Sequence, residues 1–202
     1  KFYTVNCNTR RKKTFMKNET IEVLAKRSSC PAFTDKVPKK DILETIAKAG
    51  LQSPSAMNAQ PWRVVVVTNK ELLNEIEGET VKMISQIPAF KPMHDALVAS
   101  DKKVFYNAPC MIVIPYDPSD SYGQIDCGIV GQSIAVAAEA LGVANRIIAI
   151  NSLAFTGNKS DQLKEKLHFP NGYEFGLAVL LGYAAEEKAP HDPDPEKAIY
   201  LD

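Results

Sequence analysis

Between Asp126 and Gly142 the chain sets Gly128, Gly131, Ser133, Ala135, Ala137, Ala138 and Ala140 among larger apolar residues, so almost every face of a helix built here is small or apolar. Such a helix has to be covered all round, which places it at the centre of a core or in a subunit interface. The apolar runs around it read as strands: Cys110 to Ile114 before it, ended by Pro115 and Tyr116, then Arg146 to Ile150 and Phe175 to Gly182 after it. Trp62 to Thr68, with four valines in succession, reads as a strand buried on both faces. Helical spacing is present at Ile21, Leu24 and Ala25, over Ile42 to Leu51, from Leu72 through Ile76, and near Asp161 to Leu167. Pro88 and Pro92 interrupt any helix over 85–100, which is expected to be irregular and able to act as a lid. Residues 186–197 form a tail rich in Pro and acids. This order fits a single α+β domain with a mixed central sheet.

The chain has 202 residues, 45% of them hydrophobic, and no apolar run long enough to span a bilayer. Its 24 basic and 24 acidic residues leave no overall basic excess that would point to nucleic acid or to a membrane surface. Five of the positive charges fall in residues 1–15, which divides the chain into a basic extension (1–15) and a domain (16–202), with Met16 a natural place to start. Cys7, Cys30, Cys110 and Cys127 form no C-x-x-C pair, and the N-terminus carries no continuous apolar stretch. A reducing, cytoplasmic setting and no metal site are the expectations.

The dinucleotide fingerprint and the phosphate-loop pattern are both absent, and His94, His168 and His191 are scattered without metal-ligand or catalytic spacing. Two polar loops stand out instead. One is Lys26-Arg27-Ser28-Ser29; the other is Ser53-Pro54-Ser55-Ala56-Met57-Asn58-Ala59-Gln60-Pro61-Trp62. Cations and hydroxyls suit a phosphate and a ribityl chain, and amide-type groups suit the edge of a flavin ring.

These loops resemble the FMN-dependent nitroreductase superfamily, which opens with an R-R-S-type motif and carries A-P-S-x-x-N-x-Q-P-W before its first long strand. The resemblance continues through Asn107-Ala108-Pro109, Asp126-x-Gly128 with Gln132, the Ala-rich helix to Leu141-Gly142, and Leu181-Gly182-Tyr183. It implies a mixed, mainly antiparallel sheet flanked by helices in a homodimer whose long helix lies at the interface. It implies FMN, held at its phosphate and ribityl end by Lys26, Arg27 and Ser28. Pro54, Ser55, Ala56 and Asn58 of a second copy would lie against the ring, with Gln132 also at the cofactor. Phe90 and Met93 would line the acceptor pocket. The implied activity moves electrons from NAD(P)H (NADH or NADPH) through FMN to a nitroaromatic or quinone in two half-reactions, with no side chain required as acid or base.

The sequence departs from the family twice. Cys30 stands where many members have Lys or Arg, and the tail after Tyr183 offers only Lys188 and His191 as bases, with Arg146 a further candidate for the phosphate. Those losses leave open a flavin-binding storage or sensor module without reductase activity. A structural dimer that has lost the cofactor, or a related reaction at carbon–halogen or ring bonds, also stays open. Trp62 reads as core, Cys30 as a small buried residue, and Gln60 as a tie between loop and strand.

Overall fold

A computed structural model describes residues 18–100 and 103–201; the basic extension and Met16 lie outside them. The chain runs α1 (Glu19–Lys26), β1 (Ala32–Phe33), α2 (Lys40–Leu51), β2 (Val65–Val67), α3 (Lys70–Gln86), α4 (Lys91–Ser100), β3 (Cys110–Tyr116), α5 (Gly123–Ala140), β4 (Ala144–Ile148), α6 (Ser160–Lys166), β5 (Glu174–Gly182) and β6 (Ala184–Glu186). The main sheet has the order β2-β3-β5-β4, with every pairing antiparallel, and β1 pairs with β6 in a separate ribbon. The mixed α+β expectation holds, and no helix among the described residues is long and apolar enough to cross a membrane.

The central strands β3 and β5 carry the core because nearly every residue in them is apolar and buried. Alternation along them feeds two clusters. Met111, Val113, Ala178 and Leu180 face α3 and α4, while Cys110, Ile112, Ile114, Val179 and Leu181 face α2 and α5. Gly50 and Gly131 let elements close on one another, since a Cβ at Gly50 would lie 2.7 Å from Ile134 and one at Gly131 2.4 Å from Leu177.

Several expectations are corrected. The strand read over Trp62 to Thr68 shortens to β2, an edge strand whose Val66 is exposed, because only β3 pairs with it. Trp62 is buried and joins the sheet through a single bridge to Tyr116. Strand β3 does not stop at Pro115: a register shift between Ile114 and Pro115 places the proline where its missing N–H costs nothing. Residues 91–100 are helical, because Pro92 sits in the first turn of α4, where no N–H is needed, and Pro88 begins a short 3-10 turn. The strand expected over Arg146 to Ile150 starts and ends two residues earlier, and Ile150 opens a 3-10 segment. Strand β6 ends on the first tail residue, Glu186, and the described tail beyond it is exposed.

Helix α5 is covered by this chain on one side only. Asp126, Cys127, Val130, Gly131, Ile134, Ala135 and Ala138 are buried, whereas Ile125, Gly128, Ile129 and Gln132 form an exposed stripe at i, i+4 spacing. The helix packs one face in the core and leaves the other uncovered within this chain.

Candidate functional site

Asn18 caps α1 by accepting the Thr20 N–H at 3.0 Å, and the helix delivers its last residue, Lys26, to the start of a polar loop. That loop is fixed to the edge of the sheet by the Cys30 N–H, which donates to the Asn145 carbonyl at 2.9 Å. Here an open cleft of about 420 Å³ forms between the loop, the end of α5 and β6. Lys26 and Ser28 enter from one side and Lys188 from the other, with Cys30, Pro31, Val143 and Ala144 between them. The structure thus gathers three of the residues proposed for the cofactor from positions far apart in sequence. Glu139, Glu186 and Glu187 line the same cleft and temper its positive charge. Arg27 is half-buried beside the cleft without lining it.

Arg146 takes a different place. From β4 its guanidinium donates to the Cys30 carbonyl at 3.2 Å and to the Tyr106 hydroxyl at 2.9 Å, and it stacks on the Tyr106 ring, 3.8 Å from the centroid. Tyr106 and Asn107 both have left-handed backbones, φ 54° and 61°, a costly conformation for an aromatic residue. The turn is held because the Tyr106 carbonyl accepts the Phe33 N–H at 2.9 Å. Arg146 therefore braces the loop from behind. Cys30 is buried, its thiol donating to the Ala32 carbonyl at 3.0 Å, and burial pushes its pKa up.

The second loop runs along α5 toward its N-terminal end, from Ser133 to Asp126. Ser53 is tied to Ser133 by a hydroxyl contact of 2.8 Å, and the Ala56 N–H points at both carboxylate oxygens of buried Asp126, 3.4 Å away. Within the loop Ser55 Oγ accepts the Gln60 N–H and Asn58 Oδ1 accepts the Gln60 side-chain amide, each at 2.9 Å. Gln60 is thus an internal tie. Met57, Asn58 and Gln60 all adopt positive φ, between 49° and 56°, and Met57 is 99% exposed. Three left-handed backbones in four residues give the loop a strained shape that leaves the apolar Met57 side chain in open solvent.

A model of the nitroreductase family matches residues 24–183, which contain both loops and the long helix. The chain belongs to the nitroreductase family. A solved nitroreductase with bound FMN from Desulfitobacterium hafniense is 42% identical with a TM-score of 0.88, covering 93% of this chain and all of its own. One with bound FMN from Bacteroides fragilis shares the fold at a TM-score of 0.84 and 21% identity, over 92% of this chain and 100% of its own. A protein of Archaeoglobus fulgidus, provisionally named an NADH dehydrogenase/NAD(P)H nitroreductase, is 27% identical over 87% of this chain and 91% of its own length.

Within this nitroreductase-family chain, Phe90 and Met93 are half-buried against the α3 side of the core, and neither lines the cleft of Lys26 and Lys188. His191 is exposed in the tail, outside that cleft. Two residues escaped the sequence reading. Tyr106 gives no signal of its own, since only the fold brings it to Arg146; Asp126 was visible as part of a motif, but not as the anchor of the second loop.

Proposed function

We propose that this nitroreductase-family chain is an FMN-dependent oxidoreductase that draws electrons from NAD(P)H and passes them to an electron-poor acceptor such as a nitroaromatic or a quinone. The observation that carries the reading is the convergence of Lys26, Ser28 and Lys188 on one cleft. Two ammonium groups and a hydroxyl are a donor set that fits a phosphate monoester. Arg27 adds charge at the margin, and Arg146 fixes the cleft floor through the Cys30 carbonyl rather than meeting the phosphate itself. The three glutamates there make for weaker retention than an all-basic cleft. Bound FMN would supply the ring that carries two electrons from donor to acceptor.

The remaining residues need a second copy of the chain. At ~1.5 Å per residue the helix from Asp126 to Glu139 spans roughly 20 Å, so the loop anchored at Asp126 and the cleft beside Glu139 lie at opposite ends of α5. In a homodimer packed through the Ile125, Gly128, Ile129 and Gln132 face, Pro54, Ser55, Ala56 and Asn58 of one copy reach the ring held by the other. The Asn58 amide nitrogen, which makes no hydrogen bond among the described residues, is the group offered to the ring edge. Phe90 and Met93 border the acceptor, and no side chain is required as an acid or base.

The test is the visible spectrum of the purified protein, followed by anaerobic NADH and NADPH. Flavin bands that bleach with either nucleotide are expected. A flavin-loaded protein inert to both would favour a storage or sensor role, and a colourless protein unable to take up FMN would overturn the proposal.

A further inference from the structure

A second cavity, of about 390 Å³, opens at the far edge of the sheet, where β2 ends and α3 begins, and it shares no lining residue with the cleft of Lys26 and Lys188. Its size lies in the range of small-molecule sites. The floor is apolar: Phe33, Leu73 and Phe105 are buried there. Lys70, Asn74 and Glu77 of α3 line it, and of these only Glu77 is half-buried. Glu77 accepts the Phe105 N–H at 2.7 Å through one carboxylate oxygen, which fixes its rotamer, and no cation among the described residues lies within ion-pair distance of it. Burial raises its pKa, against the lowering by the Phe105 N–H, by Lys103 through space and by the Val104 N–H. The rim residues Asp35, Lys70 and Lys103 are exposed.

We infer that this cavity is a second ligand site, which takes a small organic ammonium ion with an apolar or aromatic body, the ammonium on Glu77 and the body on Phe33, Leu73 and Phe105. The half-buried carboxylate, already positioned by a backbone donor, gains most from an incoming cation, because no cation among the described residues pairs with it directly. The rim lysines Lys70 and Lys103 are exposed and no side-chain hydrogen bond or ion pair holds them among the described residues, so they offer an anion no comparably fixed partner. A neutral ligand would satisfy the floor and leave the carboxylate unmatched. The site is independent of the flavin reading.

The test uses the full chain as purified, with benzylamine, benzyl alcohol and benzoate as matched probes. The readout is the Phe105 amide in two-dimensional NMR spectra, since that N–H is bonded to Glu77. Benzylamine is expected to shift it saturably, and more tightly than either benzyl alcohol or benzoate. Glu77→Gln keeps the shape and an acceptor for Phe105 but removes the charge, and is expected to weaken benzylamine about tenfold or more while leaving benzyl alcohol unchanged. Asn74→Trp, on the exposed lip of the cavity, leaves Glu77 intact and is expected to block the amine by filling the mouth, which decides the matter if Glu77→Gln does not fold. No shift with benzylamine, equal binding of benzoate, or unchanged benzylamine affinity in either variant would overturn the proposal.

Discussion

Removing Arg146 tests whether the loop after α1 is braced from β4. Arg146→Met keeps the apolar stem and deletes a charged donor to the Cys30 carbonyl at 3.2 Å, another to Tyr106 at 2.9 Å, and a stack on that ring at 3.8 Å. A hydrogen bond to a charged group is worth about 1.5–3 kcal/mol, and a cation–π contact of this exposure about 0.5–1 kcal/mol. All three belong to one half-buried side chain and do not add, and water can reach part of what is vacated, so a loss of about 2–3 kcal/mol is expected. Urea unfolding reads it as a fall in the midpoint with the slope unchanged. Arg146→Lys keeps the charge but has no planar fork to serve both acceptors, so it should recover less than half. Tyr106→Phe retains the stack, loses one acceptor and should cost about 1 kcal/mol. A loss under about 0.5 kcal/mol for Arg146→Met, or a lysine variant as stable as the parent, would refute the bracing.

At Gly176 a Cβ would fall 2.6 Å from Cys127 Sγ and 2.8 Å from the Ile114 carbonyl oxygen, and the backbone cannot yield cheaply. Gly176→Ala should cost about 3 kcal/mol, and with roughly 2–4 °C per kcal/mol for a chain this size the melting temperature should fall by about 6–12 °C. Glu79, held by Lys159 at 3.0 Å and Lys82 at 3.1 Å, has its pKa lowered by those hydrogen bonds, so its stabilisation is present above the ordinary carboxylate range and lost as pH falls through the depressed value. Glu79→Gln should therefore flatten the acid limb of the stability profile. Glu77, raised by burial, acts with the opposite sign: the folded state binds its proton more tightly, so stability falls as pH rises through that window, and Glu77→Gln should remove this slope. Burial pushes the Cys110 and Cys127 thiols up to about 12, and Cys30 upward as well, so peptide mapping after thiol labelling of the native protein should find all three unmodified, and modified in urea.

The strands β3 and β5 and the helices α2, α3, α5 and α6 were legible because each carries a continuous apolar run or a 3.6-residue stripe. What escaped depends on partners distant in sequence. Nothing in Ala32 and Phe33 announces a strand, since β1 exists only through its pairing with β6. Four valines suggested a central strand, but edge position is a property of the sheet order and not of the run. Pro88 and Pro92 looked like breaks because their positions within a turn could not be seen from composition. At the site, Lys26 and Ser28 were named from the first motif and Lys188 as a base left in the tail, and the three line one cleft, while Arg146, a further candidate, turns to Tyr106.

The separation of cleft and loop along α5 makes the shared-site reading open to a mixing experiment. Take one chain with Ser55→Ala and Asn58→Ala, which keeps the cleft, and another with Lys26→Gln and Lys188→Gln, which keeps the loop. Each alone should lose FMN. If each site joins the cleft of one copy to the loop of the other, a dimer of unlike chains has one site with both parts intact and one with neither. Unfolding and refolding a 1:1 mixture gives about half unlike dimers, so roughly one quarter of the parent's FMN capacity should return. If cleft and loop of the same chain served one cofactor, both sites in the unlike dimer would be damaged and nothing would return. Sedimentation of the mixture separates that outcome from a simple failure to assemble, because a flavin-free dimer and a flavin-free monomer differ in mass. A flavin-free mixed dimer would refute the shared site and leave the cleft reading standing alone.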